Sequence, residues 1–204
     1  MLPRRISSIL SLLVVATLTT TTQAFPNPWP QYRSLASSRP TATTRTVALL
    51  ASSSSNVNEL MPMQPGSTVA MITPFDADTG KVNIHELKTL LQMHIAAGTK
   101  NLCILGTTGE ANVVTKEERT LILKTAVEEC KGQMTILAGT GTIDPAAVKS
   151  MTLEAMDLGC DASLVVTPYY VKPPQRYLIQ HFITAADLGL PVVLYNVPGR
   201  TAVN

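Results

Sequence analysis

From Ser67 onward, five apolar runs rich in β-branched residues alternate with helix-period segments of about 12 to 16 residues, and this alternation constrains the fold more than any other feature. The runs cover 68–73, 102–105, 135–138, 162–167 and 192–195. The first helix carries Ile84, Leu87, Leu90, Leu91 and Ile95 and stops at Gly98. The second opens on Thr115 and Glu118, the Thr-x-x-Glu spacing of a capping box, and closes at Gly132. Asp144-Pro145 signs the third as an N-cap followed by proline at the first helical position, and Val148, Met151, Ala155, Met156 and Leu158 follow before Gly159. The fourth bears Tyr177, Leu178, Phe182 and Ala185 and ends at Gly189. Strict alternation of this kind argues for a parallel sheet, open or closed into a barrel.

A parallel barrel brings every strand-to-helix loop to one rim, so residues far apart in sequence meet there. Three polar clusters occupy such positions: Gly106-Thr107-Thr108-Gly109-Glu110, Pro168-Tyr169-Tyr170, and Tyr195-Asn196-Val197-Pro198-Gly199-Arg200-Thr201. Each alone has an ordinary explanation. The threonines and Gly109 could form a turn or cap, the tyrosines could be rim residues with wet hydroxyls, and Arg200 could be a surface cation. Together they offer hydroxyls that donate and accept protons, two separated phenols, and a guanidinium suited to gripping a carboxylate with two parallel bonds.

A doubly wound open sheet is the competing architecture. Gly139-Thr140-Gly141 invites a dinucleotide reading, but Asp144 stands where the third glycine of GxGxxG belongs, and no GxxxxGK[ST] loop occurs.

Charge argues against nucleic acid as a partner. Residues 1–58 contain five arginines and no acid, so of 16 basic and 14 acidic residues, 11 and 14 fall in residues 59–204, a net of −3. That segment has no clustered basic surface or aromatic platform. Cys103, Cys130 and Cys160 are odd in number, widely spaced and set among apolar residues, which reads as buried thiols; no CxxC spacing suggests a metal. His85, His94 and His181 are isolated and read as ordinary helix residues.

Residues 1–24 read as a signal peptide: Arg4 and Arg5, an apolar stretch over residues 9–18, then Thr22-Gln23-Ala24 as small residues for cleavage. About ten apolar residues are too few to span a bilayer, so a membrane anchor is the weaker alternative. Residues 25–58 begin at Phe25 and are rich in Ser, Thr and Arg, resembling the transit portion of the two-part presequences that deliver proteins to complex plastids. Plastid delivery is the expectation, with secretion the alternative. Neither segment belongs to the fold, which starts near residue 59.

The motifs Gly66-Ser67, Thr73-Pro74-Phe75, 106–110, Ala138-Gly139-Thr140-Gly141, Thr167-Pro168-Tyr169-Tyr170, His181-Phe182 and 194–201 occur in order and without large gaps. Residues 66–204 thereby resemble the dihydrodipicolinate synthase family of pyruvate-dependent class I aldolases, which also includes N-acetylneuraminate lyase. The resemblance implies an α/β fold, the N-terminal five or so βα units of a TIM (β/α)8 barrel. It implies a lyase condensing pyruvate with L-aspartate 4-semialdehyde through a lysine Schiff base, in lysine biosynthesis. The Thr107-Thr108 pair and Arg200 favour that reaction over the sugar-acid lyases, the alternative within the family.

Carried over residue by residue, the resemblance assigns Thr107 and Thr108 to the pyruvate carboxylate. Thr107 also links Tyr195 to Tyr170 in a proton relay. Tyr195 is then the acid/base nearest the pyruvate carbons, and Tyr170 arrives from a neighbouring subunit, which implies a homo-oligomer, dimer or tetramer. Arg200 holds the carboxylate of the semialdehyde, and Gly199 lets its loop bend toward it. No cofactor or metal is implied beyond the covalent lysine–pyruvate imine.

In the family that lysine lies on the sixth strand, one unit beyond Tyr195, so this sequence is expected to be part of a longer enzyme and inactive alone. The alternative is a truncated product that binds a full-length homologue. Lys172 precedes Pro173-Pro174 in an expected surface loop and is not read as the nucleophile. Positions aligned with the polar ligands of lysine-inhibited members hold Ala111, Lys116, Ile143 and Ala147, so lysine feedback is expected to be weak or absent.

Overall fold

A computed structural model describes residues 12–15, as backbone, and residues 63–203. All belong to one of the chain's two units, Met1–Ala16 with Leu60–Asn204. The strands are β1 (Leu12–Val15), β2 (Thr68–Ala70), β3 (Asn101–Ile104), β4 (Thr135–Gly139), β5 (Ala162–Val166) and β6 (Val192–Tyr195). The helices are α1 (Ile84–Ala96), α2 (Lys116–Cys130), α3 (Pro145–Asp157), α4 (Gln175–Ala186) and a single turn, α5 (Pro198–Thr201).

Strands β2 to β6 lie side by side in chain order, every pair parallel. A doubly wound sheet reverses its strand order at a switch point, and this sheet does not; five βα strands in unbroken succession form half of a (β/α)8 barrel. β1 pairs in parallel with the far side of β6, Leu12 opposite Val192 and Val15 opposite Leu194. Apart from those four residues, the expected signal peptide (1–24) and transit segment (25–58) lie outside the described residues.

Period-two alternation sorts the core. Leu102 and Ile104 of β3 and Ile136 and Ala138 of β4 face the helices, joining Leu87, Leu91, Ile122, Leu123 and Ala126. Their neighbours Cys103 and Leu137 point the other way, to an inner cluster with Ala162 and Val193. Val148, Leu178, Phe182, Val165 and Val192 seal the α3 and α4 side.

The helix starts follow their signals. Thr115 and Glu118 form the complete reciprocal capping box, and Asp144 caps α3 ahead of Pro145. The first strand is shorter than the apolar run suggested. Pairing ends after Met71 N donates to Cys103 O, because Thr73 is drawn out of the ladder to donate its buried hydroxyl to Gly109 O at 2.6 Å. All three cysteines are free and buried, and loss of hydration raises Cys103 and Cys130 to about 11 and Cys160 to about 12. Among the described residues no helix is long and apolar enough to cross a membrane.

Candidate active site

The loop after β3 is set by backbone contact before any side chain matters. Leu105 turns the chain with φ +56°, in the left-handed region that non-glycine residues enter only when their surroundings hold them there. Behind it, Gly139 at the end of β4 approaches so closely that a Cβ would stand 2.0 Å from Leu105 O. Gly141 is pressed in the same way against β5, where a Cβ would lie 2.1 Å from Val166 N. The GTG motif is therefore a device for packing adjacent strand ends, not a phosphate cradle. A buried bond of 3.0 Å from Thr152 Oγ1 to Thr140 Oγ1 fixes the intervening residue.

These strand ends border a cavity of about 780 Å³. Thr107, from the loop after β3, and Tyr195 and Arg200, from the end of β6 and the turn of helix that follows it, all line it. Arg200 is presented by α5, whose Thr201 donates to Asn196 Oδ1 at 2.6 Å while Asn196 Nδ2 donates to Val203 O at 2.9 Å. Tyr195 is half-buried and Arg200 exposed.

The other expected residues are placed differently. Thr108 and Gly199 are exposed and outside the cavity lining; a Cβ on Gly199 would meet nothing within 4 Å. Tyr170 is outside the cavity lining, is 88 % exposed and has φ +69°. Tyr169 lines the cavity in its place. Among the described residues no side-chain hydrogen bond joins Thr107 to Tyr195 or Tyr170 within one chain. Lys172 is exposed, with φ +46°, and lies outside the lining. Ala111, Lys116 and Ala147 border the cavity, whereas Ile143 is 44 % exposed and does not.

Arg119 was not singled out by the sequence reading. It lines the cavity and is buried, with Nη1 donating to Gly139 O at 2.9 Å and Nε 3.4 Å from Glu154 Oε2. Burial pushes its guanidinium pKa down, and the Glu154 carboxylate partly restores it. Its signal was available: it occupies the apolar stripe of α2 with Ile122, Leu123 and Ala126, where a charge is out of place. Among the described residues no three His, Cys, Asp or Glu side chains gather as a metal site would need.

A profile of the Dihydrodipicolinate synthetase family matches residues 63–204. The 4-hydroxy-tetrahydrodipicolinate synthase of Desulforamulus reducens is 46 % identical over 136 residues, 66 % of this chain and 46 % of its own length. The chloride-inhibited dihydrodipicolinate synthase of Acinetobacter baumannii complexed with pyruvate superposes with a TM-score of 0.65 at 44 % identity, covering 68 % of this chain and 48 % of that one. The enzyme of Cyanidioschyzon merolae with lysine bound gives 0.65 at 31 % identity, over 68 % and 48 % respectively. The chain thus spans about half the length of the relatives it matches. Strands in unbroken parallel succession, the polar clusters at their ends and these similarities lead to one conclusion: the chain belongs to the dihydrodipicolinate synthetase family.

Proposed function

We propose that this chain forms the N-terminal half of a 4-hydroxy-tetrahydrodipicolinate synthase, condensing pyruvate with L-aspartate 4-semialdehyde in lysine biosynthesis. The observation that carries the reading is the meeting of Thr107, Tyr195 and Arg200 around one cavity, from loops up to 93 residues apart. Thr107 binds the pyruvate carboxylate from the cavity wall, and the family resemblance gives the same role to Thr108, which lies outside the lining. A hydroxyl beside a phenol can take a proton from one neighbour and give one to another without becoming charged, which suits Thr107 to a relay with Tyr195. Arg200 at the cavity mouth holds the carboxylate of the aldehyde, since a planar fork makes two parallel bonds where an ammonium makes one.

The relay is completed between subunits. An exposed tyrosine in strained backbone beside Val171, itself 55 % exposed, supports Tyr170 as a side chain offered to a second copy. The imine-forming lysine belongs, in this reading, to the barrel strand that comes after β6 in the whole enzyme. It acts as nucleophile toward the pyruvate ketone. Plastid delivery through residues 1–58 is part of the proposal, resting on their composition. So is a weak or absent response to lysine, supported by Ala111, Lys116 and Ala147 on the cavity wall.

The test uses an enzyme that carries this chain together with the remaining βα units of its relatives. Arg200→Lys should raise the KM for aspartate semialdehyde about tenfold or more, corresponding to roughly 1.4 kcal/mol, with the pyruvate KM little changed. Turnover with a sugar aldehyde in preference to the semialdehyde, indifferent to Arg200, contradicts the reading.

A further inference from the structure

We propose that Arg119 is a positioning residue for the Thr107 end of the cavity, acting through the main chain of Gly139. The inference rests on the pyruvate reading above. Arg119 is only 7 % exposed on a helix face otherwise occupied by Ile122, Leu123, Ala126 and Cys130. Placing a guanidinium there costs it much of its hydration, so the partners it meets define its use.

Those partners belong to two other elements. Arg119 Nη1 donates to Gly139 O at 2.9 Å, and Nε lies 3.4 Å from Glu154 Oε2 on α3. Thr120, the next residue of α2, donates to Glu154 Oε1. One side chain therefore ties α2 and α3 to the last residue of β4.

Gly139 is also the residue against which the Thr107 loop rests. A Cβ there would come within 2.0 Å of Leu105 O and 3.1 Å of Gly106 N. Leu105 holds φ +56°, a conformation its neighbours must impose. Two residues later comes Thr107, whose carbonyl accepts from Glu110 N at 3.2 Å, while Gly106 O accepts from Gly109 N at 3.1 Å. Movement of the Gly139 carbonyl therefore reaches Thr107 through two touching peptides. Arg200, carried on α5, is not in that line of contacts.

The substrates separate positioning from mere stabilisation. In the whole enzyme, Arg119→Met should raise the KM for pyruvate about tenfold and leave that for aspartate semialdehyde near the parent's. The single variant strands the Glu154 carboxylate, so Arg119→Met combined with Glu154→Gln should regain thermal stability yet keep the raised pyruvate KM. Arg119→Lys, with one ammonium for two acceptors, should recover part of the loss. An unchanged pyruvate KM, equal rises in both KM values, or a KM that recovers together with stability in the double variant overturns the proposal. Absence of condensation by the parent defeats the pyruvate reading but not this one. Amide exchange at Gly109 and Glu110 then decides: faster in Arg119→Met supports the link, and unchanged exchange overturns it.

Discussion

Asn101 and Gln64 close a two-bond ring: Asn101 Nδ2 donates to Gln64 O at 2.8 Å and Gln64 N donates to Asn101 Oδ1 at 2.9 Å. Asn101 is fully buried at the start of β3, and a further bond of 3.4 Å to Ser67 O ties the segment ahead of β2 to the sheet. Leucine is close to asparagine in shape but makes neither bond. Asn101→Leu should therefore lower stability by about 1–3 kcal/mol, the cost of leaving such groups unpaired, and should speed amide exchange at Gln64. Unchanged urea unfolding and exchange would show that the ring contributes nothing.

Gly139 and Gly141 tolerate no side chain, because the atoms that a Cβ would strike at 2.0 and 2.1 Å are backbone and cannot rotate away. Gly139→Ala and Gly141→Ala should each destabilise by at least about 1–3 kcal/mol in denaturant melts. Gly199→Ala, with open space around its Cβ, should stay within about 0.5 kcal/mol of the parent. Equal melts for all three would remove the close approach as the reason for the GTG motif.

The buried thiols make stability depend on alkaline pH. Their pKa values are raised from 9.0 to about 11 for Cys103 and Cys130 and about 12 for Cys160, so above pH 9 the unfolded chain loses protons that the folded chain retains. The unfolded state then binds fewer protons, and stability falls as pH rises from about 9 toward 11–12. Denaturant midpoints across that range should fall in the parent and fall less in Cys160→Ala. At neutral pH a thiol reagent should label these cysteines only on unfolding.

Much of this architecture is readable in the sequence, and the reasons are local. The Thr115 capping box and the Asp144-Pro145 start depend on three- or four-residue spacings, which tertiary context leaves intact here. The alternation of Leu102, Cys103 and Ile104 between helix side and inner side is likewise a property of strand geometry. What escaped depends on distant partners. Thr73 looks like the end of a strand until Gly109 O, 36 residues away, claims its hydroxyl. Of two consecutive tyrosines, Tyr169 lines the cavity, while Tyr170, at φ +69°, is 88 % exposed and does not. Arg119 is conspicuous on an apolar stripe, but its role needs Gly139 and Glu154 in view, 20 and 35 residues further along. The parallel pairing of Leu12–Val15 with β6 has no sequence signal separate from that of an apolar leader.

Convergence of Thr107, Tyr195 and Arg200 on one cavity that serves both substrates is tested most directly by steady-state condensation of pyruvate with aspartate semialdehyde, comparing the whole enzyme with its Thr107→Val form. Valine preserves the shape and removes the hydroxyl, so the account predicts turnover by the parent and a loss of about 10²–10⁴-fold in kcat for the variant, with folding intact. Parent-like kcat in Thr107→Val, or a folded parent with no turnover of this pair, would contradict it.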